Sequence, residues 1–142
     1  MERENIDAAL KEHVVPVLRS MGFKGSFPHF RRNTGQQIDL LTFQFDKHGG
    51  GFVIEVAVSP TEGVTLHWGE QIPAAKVVAT HLHPNKRIRL GAAMEGDHWF
   101  RYDNKGTRTT RFEDTAREVL PYLSAEATDH WAKGPLWDNS TS

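Results

Sequence analysis

Between residues 37 and 59 the chain alternates apolar and polar side chains with a period of two, and this stretch constrains the fold more than any other. Leu41, Phe43 and Phe45 fall on one side of an extended segment 37–46, and Phe52, Ile54, Val56 and Val58 on one side of 52–59. Residues 27–32 precede them as a third extended run. The connections NTGQ and DKHGGG are too short for a helical crossover and carry glycine, so the three strands must be antiparallel neighbours. An antiparallel sheet with one apolar face has to bury that face.

The two ends of the chain supply the cover. Ile6, Leu10, Val14, Val17, Leu18 and Met21 recur at three- and four-residue steps and predict an amphipathic helix ending at Gly22, with a kink near Val14 and Val15 imposed by Pro16. Phe112, Ala116, Val119, Leu120 and Leu123 predict a second. Thr110 and Glu113 have the spacing of a capping box at its start, and Pro121 is expected to break it before a last helix beginning near Ser124. Two further strands are expected at 87–92 and 98–102, and a short strand and a helical turn between 64 and 79. The expected fold is one α+β domain over residues 1–142. It is a two-layer arrangement in which an antiparallel meander of about five strands is flanked by an N-terminal helix and C-terminal helices, with 134–142 as a peripheral or frayed tail.

A chain of 142 residues can bury about two-thirds of its unfolded surface, so it needs neither disulfide nor structural metal. Its 17 lysines and arginines nearly balance 18 aspartates and glutamates, which removes the global field that a general nucleic-acid or acidic-membrane binder uses. There are no cysteines, so thiolate nucleophiles and cysteine-type zinc sites are excluded. With no apolar run near the ~18 residues of a membrane span and no leader pattern at the N-terminus, a soluble, unprocessed, cytoplasmic chain is expected.

The stretch HLHPNKRIRLG, residues 81–91, concentrates the candidate chemistry. Extended, it would place His81, His83, Asn85, Arg87 and Arg89 on one side and Leu82, Ile88 and Leu90 on the other. Two arginines at i and i+2 can grip a carboxylate or phosphate with paired donors, and His83 could add another. A half-buried strand with a solvated polar side explains the same pattern without function. A metal site built on His81 and His83, with His67, His98 or Glu55 as further ligands, would have to form beside two guanidinium groups, which repel a divalent cation. Glu55 interrupts an apolar run on the polar side of its strand, where a salt bridge to arginines of a neighbouring strand would explain it. Lys24, Arg31 and Arg32 interleaved with Phe27 and Phe30 resemble a single-strand nucleic-acid platform in composition, but the neutral net charge argues against that use.

Gly22-Phe23-Lys24, Phe30-Arg31, Gln44, Phe52-Val53-Ile54, Arg87-Ile88-Arg89-Leu90-Gly91, Asp97-x-Trp99 and Leu120-Pro121-Tyr122-Leu123 follow one another in an order that resembles the bacterial domain of unknown function 4304. Trp99-Phe100 stands where that family often has two tryptophans, and residues 61–80 match nothing in it. The resemblance implies a small helix-flanked antiparallel sheet and carries no catalytic residues with it. The functional expectation is a binding module without catalysis, metal or cofactor. Its polar sheet face around His83, Arg87, Arg89 and Trp99 would hold a protein or a small anionic ligand, for instance in toxin neutralisation or regulation, and Arg87 and Arg89 would be dispensable for stability. The alternative is a small metal-dependent hydrolase using His81 and His83.

Overall fold

The computed structural model describes residues 2–134. Two helices open the chain, α1 (Glu2–His13) and α2 (Val15–Ser20), and the break between them falls at Val14, with Pro16 in the first turn of α2, where its missing N–H has no partner to lose. Strands β1 (Lys24–Ser26), β2 (His29–Asn33), β3 (Ile38–Phe45) and β4 (Gly51–Ser59) follow as an antiparallel meander. β5 (Val64–Thr65) and β6 (Gln71–Ile72) form a separate two-stranded ribbon. β7 (Arg87–Arg89) and β8 (Phe100–Arg101) both pair antiparallel with β4, β7 against Glu55–Ala57 and β8 against Gly51–Phe52. They share one lane of the sheet, interrupted by an excursion from Leu90 to Trp99. The chain closes with α3 (Arg111–Tyr122), a π-helical turn (Leu123–Ala127) and α4 (Thr128–Lys133).

The α+β architecture, with its antiparallel sheet between N- and C-terminal helices, is the expected one, and the differences are local. A strand not expected from the sequence, β1, precedes Phe27, and Phe27-Pro28, read as strand, is the β1–β2 turn. Gly25, at φ +111°, holds the place opposite Phe30 because a methyl there would lie 2.6 Å from the His29 carbonyl oxygen. Residues 90–92, 98, 99 and 102 lie outside the strands expected there, since each half of the interrupted lane needs only the few residues that reach β4. The tail expected from 134 onward falls, apart from Gly134, outside the described residues.

Two expectations about the C-terminal helices are corrected. Thr110 forms no capping box: its hydroxyl donates to Asp114 Oδ2 at 3.1 Å, a carboxylate that also accepts from Arg108 at 2.8 Å. Pro121 does not break α3, and no helix starts at Ser124, whose hydroxyl donates back to the Pro121 carbonyl at 3.2 Å. Proline cannot donate to the preceding turn, and the helix widens by one residue per turn just beyond it. The Thr128 hydroxyl donates to the Leu123 carbonyl five residues back at 2.6 Å.

One sheet face carries Phe30, Leu41, Phe43, Phe52, Ile54, Val56 and Phe100 against Ile6, Leu10, Val14 and Leu18 from the N-terminal segment, Ala116 and Val119 from α3 and Leu123 from the π-helical turn. Trp131 of α4 packs tilted against Phe23, 4.8 Å between centroids, and its indole N–H donates to the Leu40 carbonyl at 3.2 Å. The opposite face is not left bare. Residues 60–86, for which the sequence predicts only a short strand and a helical turn, fold back so that Ile72, Val77, Ala79 and Leu82 cover Ile38, Leu40 and Ala57. That flap leaves polar ground on both sides of itself.

Candidate functional site

Register fixes what meets what on the flap side of the sheet. One row crosses five strands as Ser26, His29, Thr42, Glu55 and Arg89, and the next as Lys24, Arg31, Leu40, Ala57 and Arg87. The flap covers Leu40 and Ala57 in the middle, so the polar side chains gather in two groups, one on β4–β7 and one on β1–β2.

The β4–β7 group is a closed ion-pair network. Glu55 is 2% exposed, and its two oxygens accept from Arg87 at 3.3 Å and from Arg89 at 3.1 Å. Arg89 also donates to Asp97 at 2.6 Å and to Gln44 at 3.4 Å, so all three of its nitrogens are engaged. These bonds hold the Arg89 proton more tightly than in free arginine, against the opposing effect of its own burial. Arg87 commits one nitrogen to Glu55 and borders an open cleft of about 370 Å³ with Pro84, Ile88, Ala92 and Asp97. Two carboxylates and two guanidinium groups cancel, so this end presents fixed, alternating charge.

The expected site residues divide around this network. Arg87 and Arg89 project together, with Ile88 on the other face, as alternation required. His83 does not continue their row, because Ala79–His81 and Pro84–Lys86 are tight 3₁₀ turns and extended structure begins only at Arg87. Proline at 84 favours that turn, and His83 Nδ1 caps it by accepting from Asn85 N at 3.2 Å, its ring otherwise exposed. Trp99, half-buried, faces Arg101 at 5.6 Å. Arg87 and Arg89 are also not the spare surface cations expected, because each neutralises a buried carboxylate.

The ligands proposed for a metal do not converge. His81 Nδ1 accepts from the Val78 N–H at 3.0 Å, His67 packs on Trp68, and His98 lies on the helix side of the sheet, stacked on Tyr122 at 5.6 Å. Among the described residues no three His, Cys, Asp or Glu side chains assemble as a metal would need. The Lys24, Arg31 and Arg32 cluster is likewise divided by the pleat. Arg32 turns to the helix face, where it pairs with buried Asp39 at 2.7 Å and lies over Phe23 and Trp131, while Phe30 is in the core.

Sequence reasoning singled out Lys24 and Arg31 of the β1–β2 group but missed the two histidines beside them. His29 Nδ1 and Thr42 Oγ1 are 3.0 Å apart, and Arg31 grips the Val77 carbonyl with Nε at 3.2 Å and Nη2 at 3.0 Å. His29 is held below the usual imidazole range by burial, then by the charges of Arg31 and His81. His81 is lowered by burial and by Arg31 against an opposing pull from Glu70. For the histidines the sequence signal was the i, i+2 spacing of His29 and Arg31, and it gave no hint that His81 would arrive from fifty residues away.

The family model described as Domain of unknown function (DUF4304) matches residues 14–124. No curated protein and no solved structure matches the chain. The matched span runs from the end of α1 through the whole sheet to the π-helical turn, and it contains both polar groups. This chain therefore belongs to the domain of unknown function 4304 family.

Proposed function

We propose that this protein is a non-catalytic interaction module that works in the cytoplasm of a bacterium, docking a protein partner on the sheet face around Arg87, Arg89, His83 and Trp99. The observation that carries the reading is the engagement of every nitrogen of Arg89, which makes the β4–β7 group a rigid charge pattern. Preorganised, alternating charges favour a partner that brings its own complementary pattern, since desolvating one small anion there would have to compete with Glu55 and Asp97. Arg87 keeps two nitrogens for an acidic side chain of the partner, and half-exposed Trp99 offers the amphipathic surface that interfaces favour. Immobilised carboxylates whose oxygens already accept from arginine are poorly placed to move protons, which supports binding over hydrolysis.

The test is photo-crosslinking from benzoylphenylalanine at position 99, identification of the partner, and titration of the purified partner against wild type and Arg87→Gln. The reading expects binding that weakens at least tenfold in the variant. A crosslinked protein that fails to bind once purified, or binds Arg87→Gln unchanged, overturns it.

A further inference from the structure

The cavity between β1–β2 and the flap has a composition that the β4–β7 cleft lacks. It holds about 420 Å³ and is lined by Lys24, Arg31, Asn33 and Ile38 on the sheet side and by Ala74 and Ala75 of the flap on the other. Among the described residues neither Lys24 nor Arg31 makes an ion pair, whereas Arg32, Arg87, Arg89 and Arg101 all do. Register places Lys24 directly opposite Arg31, so both cations stand on the same face of neighbouring strands. The Val77 carbonyl occupies Nε and Nη2 of Arg31, which fixes the guanidinium plane and leaves Nη1 as a positioned donor. Asn33 adds an amide. The remaining wall is aliphatic.

We propose that this cavity is a binding site for a small phosphomonoester, with the phosphate held by Lys24, Arg31 and Asn33 and an apolar body lying against Ile38, Ala74 and Ala75. A phosphate monoester carries close to two negative charges near neutral pH and three acceptor oxygens, which match two cations and three donor groups. The volume is that of a small-molecule pocket and far below what a macromolecule needs. His29 and His81 report on occupancy, because the Arg31 charge depresses both and a bound dianion offsets it. Their imidazoles, which face Arg31, each other and Glu70, then titrate closer to the ordinary value.

Phenyl phosphate is the probe, titrated calorimetrically and by NMR into the full chain at low salt, with inorganic phosphate and benzyl alcohol as comparators. The expected result is saturable binding of phenyl phosphate, at least tenfold tighter than inorganic phosphate, with no binding of benzyl alcohol and upward-shifted titration of His29 and His81. Lys24→Gln should weaken it at least tenfold, and Arg31→Lys, which keeps the charge but loses the fork, several-fold. Arg87→Gln should leave it intact, separating this site from the partner surface. Unchanged affinity in folded Lys24→Gln, equal affinity for inorganic phosphate, or no saturation would each overturn the proposal.

Discussion

The two ends of one sheet face, β4–β7 and β1–β2, hold the same kinds of residue in opposite electrostatic conditions. At β4–β7 both arginines share a buried carboxylate, and the group is charge-balanced as it stands. At β1–β2, among the described residues, Arg31 is satisfied only by a backbone carbonyl and Lys24 stands across from it, so the charge there is left over. An arginine's position on a solvated face therefore says little about recognition; what decides is whether the fold has already supplied its counter-ion.

If that contrast holds, Glu55→Gln is the most damaging single change on this face. It removes the buried charge that holds two half-buried guanidinium groups, and the loss should be about 2–4 kcal/mol, somewhat relieved because both arginines reach solvent. Urea denaturation would measure it, and a loss below 1 kcal/mol would erase the distinction between the two ends. Arg89→Gln should cost about 1.5–3 kcal/mol by leaving Glu55 short of a partner. Acid offers a subtler separation. His29 and His81 titrate below the ordinary 6.5, and so does His130, 5% exposed with no partner for Nε2 among the described residues, lowered by burial and then by Lys133. Depressed folded values mean that the unfolded chain binds protons first. The stability these groups allow is therefore complete above pH 6.5 and falls as pH drops through their folded values. Thermal melts between pH 7.5 and 5.5 should show a fall in Tm that His130→Phe reduces. The smallest effect belongs to Lys24→Gln, within about 0.5 kcal/mol of wild type.

Much of this fold was written in periodicity. Leu41, Phe43, Phe45 and the even-numbered apolar residues of β4 declared their face because burial on one side leaves a period of two. The expected bridge between Glu55 and the arginines was legible for the same reason, as a polar residue on the polar parity of its strand. The flap was not legible, because its few apolar contacts, Ile72, Val77, Ala79 and Leu82, come from turns with no repeating period. Nor could His83 be placed, since Pro84 set a tight turn where alternation suggested a strand. The β1–β2 group depends on contacts between residues 24–31 and 77–81, a separation over which single-sequence patterns carry no information.

The matched span omits all of α1 and all of α4, yet Ile6 and Leu10 have no exposed surface and Trp131 only 2%. Anyone trimming expression clones to residues 14–124 would cut into the interior. Deleting even one such side chain to alanine costs about 2–5 kcal/mol, comparable to the whole margin of many domains of this size. The shortest stable fragment should therefore retain both termini through Trp131.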